Sequence, residues 1–325
     1  MLWGLCRIAV VAGAVALAGA SAGAAPCFNP FALGVHRVLP VDPRAMPLIG
    51  SHDYGVTLPL APGEIVLTFD DGPQAPFTNK VLKALADECV RATFFLVGRQ
   101  AAADPQLARQ VHAAGHNIGT HTESHLLYRM PADRAAYEID AGIVSVGAAF
   151  GSQRALAPFF RFPGLFRTLE AEQHLRSRGL MAWSVDVDSY DWKNISAGHM
   201  LGHTLADLEK RRGGILLMHD VQAKTALLLP TLLAEIKKRG YRIVHVVPSS
   251  DYPMTAPIAA PAAPVTEPPA RMQFPVSSVP EPDDPARRVR MSGELPPAPP
   301  PVVRPGANGP FEAIFNASSP PRFGR

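Results

Sequence analysis

From about Gly63 to Val247 the chain alternates short apolar runs with amphipathic stretches. The runs Ile65–Phe69, Ala92–Val97, Phe159–Phe162, Met181–Val187, Ile215–Met218 and Ile243–Val247 read as strands, and Asn117–Gly119 as a weaker one. Between them, Val81–Glu88, Pro105–Ala114, Arg134–Phe150, Leu169–Arg178, Leu201–Arg211 and Thr225–Lys238 space their apolar residues as helices with one buried face do. Strands alternating with helices predict an α/β architecture with parallel strands. About seven such units in this length fit a distorted, incomplete (β/α) barrel, with an open doubly wound sheet as the alternative. In a barrel, reactive side chains belong at the C-terminal strand ends.

The polar residues obey that rule. Ile65–Phe69 runs into Asp70-Asp71-Gly72-Pro73, and Asn117–Gly119 into Thr120-His121. Phe159–Phe162 carries Arg161 ahead of Pro163-Gly164, Met181–Val187 leads to Asp188-Ser189-Tyr190-Asp191-Trp192, and Ile215–Met218 ends at His219-Asp220. Asp70 and Asp71 are adjacent, so their side chains start in divergent directions and suit different tasks around one centre. His121 and His125 stand four apart, the spacing of one face of a helical turn and a common metal-ligand pattern. His199 and His203 share that spacing but fall inside an amphipathic stretch, away from any strand end, and serve as an internal control expected to be structural.

Composition changes the picture at both flanks. Residues 1–24 read as an export signal: one basic residue by Arg7, an apolar run from Ile8 to Ala20, then small residues suited to cleavage. A spanning helix needs about 20 apolar residues; this run is shorter, so no stable membrane span is expected, an uncleaved anchor being the alternative. Residues 25–62 form an N-terminal arm and 63–250 the folded domain. In 251–325, which holds 19 of the 34 prolines, the pattern is that of a disordered Pro/Ala-rich tail. Three cysteines exclude a disulfide-rich scaffold, and export leaves Cys27 and Cys89 either to pair or to stay thiols. A net charge of +3 without a basic run points away from a nucleic-acid partner, and no protein partner can be inferred.

Five motifs in order, Thr68-Phe69-Asp70-Asp71-Gly72-Pro73, His121-Thr122-Glu123-Ser124-His125, Arg161-Phe162-Pro163-Gly164, Asp191-Trp192 and Leu217-Met218-His219, resemble the polysaccharide deacetylases. This carbohydrate esterase family, number 4, includes nodulation-type chitooligosaccharide deacetylases and peptidoglycan deacetylases. The resemblance covers about Glu64 to Val247. It implies a distorted barrel and a divalent metal, usually zinc, held by Asp71, His121 and His125. It also implies Asp70 as general base, His219 as general acid, Arg161 tuning Asp70 and Asp191 holding His219 charged. Trp192 and Leu217 would wall the groove. The third motif departs from the family's usual form, so Gly164 or Leu165 must supply the backbone donor for the oxyanion. Asp186 and Asp188 precede Asp191, which is favoured as the partner of His219 because it adjoins Trp192.

The expected function is metal-dependent removal of N-acetyl groups from an acetylated polysaccharide or oligosaccharide, by an enzyme exported to the periplasm or beyond. An O-acetyl esterase would use the same machinery, and a catalytically silent carbohydrate-binding protein would share the fold. Retention of both Asp70 and His219 argues against the silent form. The export signal predicts a mature N-terminus near Gly23 or Ala25, read by N-terminal sequencing of native protein; a cytosolic protein still beginning at Met1 would contradict it.

Overall fold

The computed structural model describes residues 29–126, 128, 130–249 and 257–262. The expected export signal, Cys27 and most of the proline-rich segment lie outside the described residues. Among those described, Cys89 is disulfide-bonded, and no helix is long and apolar enough to cross a membrane. In chain order the elements are β1 (Arg37–Val41), β2 (Leu48–Ile49), α1 (Ser51–Tyr54), β3 (Glu64–Asp70), α2 (Phe77–Asp87), β4 (Thr93–Leu96), α3 (Gly98–Ala103), α4 (Pro105–Ala113) and β5 (Asn117–Thr120). There follow α5 (Ala132–Ala149), β6 (Phe159–Phe160), α6 (Leu169–Ser177), β7 (Met181–Trp183), β8 (Val187–Asp188), α7 (Ala197–Arg211), β9 (Gly213–His219), α8 (Ala223–Lys238) and β10 (Arg242–Pro248). Local signals set several helix starts: Asp104 caps Leu107 ahead of Pro105, Thr168 caps Ala171, and Ser196 caps His199.

Every strand pairing is parallel, as the alternating pattern requires. β3 pairs along its whole length with β9, from Glu64 opposite Gly213 to Asp70 opposite His219, and on its other side with β4. The path continues through β5 and β6 to β7. The segment from Met181 to Asp188 pairs with β6 at its start and with β9 at its end, and bends between. β2 pairs with β7 there, so the sheet stays unclosed: a distorted, incomplete (β/α) barrel.

Side-chain alternation divides β3 between two apolar clusters. Ile65, Leu67 and Phe69 pack outward with Val81 and Leu85 of α2 and Leu229 and Leu233 of α8. Val66 faces inward with Phe95, Phe159, Trp183 and Ile215, above Val244 and Val246 of β10. The same alternation turns Thr68 and Asp70, with Leu217 and His219 of β9, toward the barrel interior.

Two departures concern the flanks. The expected arm supplies β1 and β2, and Leu39, Val41, Ile49 and Leu58 are buried in the inner cluster. Arg37 of β1 is bound to the buried Glu64 carboxylate through Nη2, at 2.7 Å. Beyond β10, Ile258 packs against the outer cluster, and its backbone N–H and C=O both bond the Gln153 side-chain amide at 2.7 Å. Residues 257–262 are thus anchored to the domain, where the composition predicts tail. Truncation after Ser249 should lower unfolding stability by about 1–2 kcal/mol relative to truncation after Ala262, through two hydrogen bonds and one apolar contact. Equal denaturant midpoints for the two truncations would show that the anchor contributes nothing.

Candidate metal and catalytic centre

The two acidic neighbours reach one centre because the backbone breaks strand alternation between them. Asp70 ends β3 facing inward, and the next residue of an extended chain would point away. Asp71 instead takes a left-handed conformation, φ 78°, which turns its carboxylate back over the strand ends. Its Oδ1 lies 3.4 Å from His121 Nε2 and 3.1 Å from His125 Nε2.

The histidine pair is brought together differently from what its spacing suggested. Residues 121–125 are a loop after β5, not a helical turn, and Thr122 and His125 have φ 65° and 60°. Left-handed geometry at a β-branched threonine is strained and must be held from outside. Consecutive amides at the start of α3 hold it: Gly98 N–H donates to Thr122 O and Arg99 N–H to Glu123 O, both at 2.9 Å. The preceding Val97 N–H donates to Gly72 O at 3.1 Å, fixing the Asp71 turn from the same segment. On the other side, Glu138 of α5 accepts from Ser124 N and Oγ through its carboxylate. Gly142 of α5 lies so close that an added Cβ would sit 2.5 Å from the Thr122 carbonyl carbon.

His121 Nδ1 lies 2.7 Å from the Arg161 carbonyl oxygen. A carbonyl only accepts, so Nδ1 carries the proton and, in the neutral ring, Nε2 directs a lone pair at Asp71. Asp71 Oδ1 is itself buried without a hydrogen-bond partner. Burial would push the Asp71 carboxyl up, but the two imidazoles beside it hold it well below the usual range. One carboxylate oxygen and two imidazole nitrogens, mutually within 4.8 Å, form a donor set that fits a divalent cation.

Around this centre, Arg161 is wholly buried. Its Nη1 donates to Asp70 Oδ1 and Thr68 Oγ1 at 2.8 Å, its other nitrogens to the Trp183 and Ser184 carbonyls, and its guanidinium lies over the Phe95 ring. Asp70 Oδ2 points the other way, 3.8 Å from His121 Nε2. His219 Nδ1 is 2.6 Å from Asp191 Oδ1, and the His219 N–H donates to Asp191 Oδ2. Burial alone would lower the His219 pKa; the Asp191 charge and hydrogen bond, aided by Asp71 and Asp70, raise it to about 10. Asp186 is occupied elsewhere, by Ser51, Thr57 and the Ile215 N–H, and Asp188 by the Tyr190 N–H and Trp192 Nε1. Of the three acids, Asp191 is the one that meets His219. Leu165 N–H donates to Phe162 O, which leaves Gly164 as the backbone donor of that turn. Trp192 is half exposed at the rim, and Leu217 lines the inner face of β9.

The control pair stays apart from this centre. His203 donates Nε2–H to the Asp188 carbonyl and stacks on Tyr190, while His199 is exposed near the start of α7. Thr225 and Glu138 carry no motif signal, and Asp220, named at a strand end, has no role in the motif reading. Thr225 bonds Asp191 Oδ2 and carries no motif. Glu138 is a buried acid of α5 that accepts from Ser124 of the histidine loop. Asp220 follows His219; it is fully buried against Gly72, is bonded by Thr78, and is pushed up to about 7 by burial.

The sequence profile of polysaccharide deacetylases matches residues 58–183. A peptidoglycan N-acetylglucosamine deacetylase of Bacillus cereus is 32% identical over 188 residues, 56% of this chain and 85% of the relative. One of Listeria monocytogenes is 33% identical over 184 residues, but this chain spans only 38% of its length. The solved structure of a peptidoglycan deacetylase from Bdellovibrio bacteriovorus superimposes with a TM-score of 0.61 at 29% identity, covering 69% of this chain and 62% of that one. Replacing His121 or His125 by alanine should strip bound zinc, measured by elemental analysis after dialysis, while His199→Ala and His203→Ala should keep it. Equal loss from both pairs would mean the site is misplaced.

Proposed function

The chain belongs to the polysaccharide deacetylase family, and from that premise we propose that it is a metal-dependent hydrolase removing N-acetyl groups from N-acetylglucosamine units of a peptidoglycan-like or chitooligosaccharide-like substrate, releasing acetate. The observation that carries the reading is the fixed tautomer of His121. Its Nε2 lone pair faces a buried carboxylate oxygen that has no hydrogen-bond partner, an arrangement that a cation between them would relieve. Asp71, His121 and His125 would hold that cation, most simply zinc. When bound, it polarises the acetyl carbonyl and acidifies the attacking water.

The remaining steps fall to the protein. Asp70 takes the proton of the attacking water through Oδ2, since Oδ1 is committed to Arg161. Arg161 keeps the Asp70 carboxylate aimed by donating to its Oδ1. The Gly164 N–H meets the developing oxyanion, because the Leu165 N–H is already spent. His219, with Nδ1 held by Asp191, delivers the proton on Nε2 to the leaving nitrogen. Its raised pKa keeps it charged at neutral pH, as an acid must be before it acts. Trp192 and Leu217 wall the groove. Export places the enzyme where such polymers lie, in the periplasm or outside the cell. Residues 63–250 would be the catalytic domain and 251–325 a largely non-catalytic tail.

Asp70→Asn should keep about one zinc per chain yet lose about 10² to 10⁴-fold in turnover. Asp71→Asn should lose zinc and activity together and recover part of both in excess zinc. Acetate release from chitooligosaccharide, peptidoglycan and acetylxylan, with and without chelator, separates amidase from esterase. Chelator-insensitive activity, or zinc lost from Asp70→Asn and kept by Asp71→Asn, would overturn the assignment.

A further inference from the structure

Among the described residues the exposed large aromatic side chains are Phe31, Tyr128, Phe166 and Trp192, and all but Phe31 stand in loops that leave the C-terminal strand ends. Tyr128 and Phe166 stack on each other, ring centroids 4.8 Å apart at 54°. They belong to the loops after the neighbouring strands β5 and β6, which pair at Thr120 and Phe160. Those loops are tied at their base by the bond from His121 to the Arg161 carbonyl and meet again at this aromatic pair. Phe166 therefore stands beside the proposed oxyanion donor Gly164, and Tyr128 follows the proposed metal ligand His125 by three residues in the same loop. The Phe166 ring would lie 3.0 Å from a Cβ placed on Gly164.

A pair serving only to join two loops would gain by burying both rings. Instead Tyr128 stays 45% and Phe166 51% exposed. Across the strand ends, Trp192 and Tyr190 form a second aromatic bank in the loop after β8, with Lys193 Nζ over the Tyr190 ring. Asp70, with its neighbour Asp71, ends β3 at the same C-terminal strand ends from which both aromatic loops leave. A β-linked N-acetylglucosamine unit carries its substituents equatorially and leaves axial C–H faces that pack on aromatic rings. Exposed aromatics on either side of a reaction centre are what a chain of such rings needs.

We propose that Tyr128 and Phe166 form a platform for a sugar ring of the substrate chain other than the one being deacetylated, so that the site selects oligomers over short substrates. The inference rests on the glycan deacetylase reading above and adds a specificity-determining subsite to it.

The test compares the zinc-loaded enzyme on N-acetylated chitopentaose and chitobiose. Tyr128→Ala and Phe166→Ala should each raise KM for the pentamer about three- to tenfold, with kcat within about twofold, as loss of one stacking contact implies. The pentamer's advantage over the dimer should shrink accordingly. Tyr128→Phe and Phe166→Tyr keep the ring and should stay near wild type, and Leu227→Ala, an exposed apolar residue on α8, controls for lost surface. An unchanged pentamer KM overturns the proposal, as does a kcat loss shared equally by dimer and pentamer, which would mark the rings as loop ties. Should the wild type release no acetate from either oligomer, the chitooligosaccharide form of the deacetylase reading fails by itself. Calorimetric titration with the pentamer then decides the platform: binding weakened by ring removal supports it, and binding absent or indifferent to the rings overturns it.

Discussion

A fully buried guanidinium organises this candidate centre. Arg161 could not remain charged inside the barrel unless its donors were met, and the acceptors it uses come from two separate segments of the barrel. Through Nη1 it holds Thr68 and Asp70 of β3; through its other nitrogens it holds the carbonyls of Trp183 and Ser184, where β7 bends away. Its own carbonyl sets the tautomer of His121. One side chain and its backbone thus aim the carboxylate assigned as base and fix the protonation of an imidazole assigned as metal ligand. Leaving the Asp70 carboxylate buried and unpaired would cost about 3–5 kcal/mol, so the arrangement is also a condition of folding. A parallel logic governs the acid side, where Asp191 holds both the ring and the backbone of His219 and is steadied by Thr225.

The second constraint is backbone geometry. Left-handed residues at Asp71, Thr122 and His125 turn side chains toward one point that regular strands would scatter. Such conformations persist only when over-determined. The successive amides of Val97, Gly98 and Arg99 supply that determination, binding the Asp71 turn and the histidine loop to a single short segment. Ligand loops tied to one rigid neighbour keep their separation when a cation enters or leaves, which is what preorganisation requires.

Much of this was legible in the sequence because strand periodicity and the strand-end rule are both physical. Asp70, His121, Arg161, Asp191 and His219 stood at predicted strand ends, and the motifs of a known family gave them roles. What failed was the geometric reason for the histidine spacing: four residues apart suggested a helical turn, whereas two left-handed residues in a loop do the work. Neither strain nor the amides that stabilise it leaves a mark in hydrophobic pattern. β2, at Leu48–Ile49, is too short to show a period, and β1 holds Pro40, which a sheet tolerates at an edge such as this. α3, glycine and alanine at most positions, shows no apolar stripe. The anchoring of Ile258 to Gln153 was hidden for a similar reason, since one apolar residue among prolines has no periodicity to betray it.

The central claim is that Asp71, and not its neighbour Asp70, joins His121 and His125 around a cation. Anomalous diffraction at the zinc edge from crystals grown with zinc tests it most directly. The account predicts one peak bounded by the Asp71 carboxylate and the Nε2 atoms of His121 and His125 at about 2.0–2.2 Å, with Asp70 outside the coordination sphere and still on Arg161. A peak coordinated by Asp70 in place of Asp71, or one lying on His199 and His203, would contradict it.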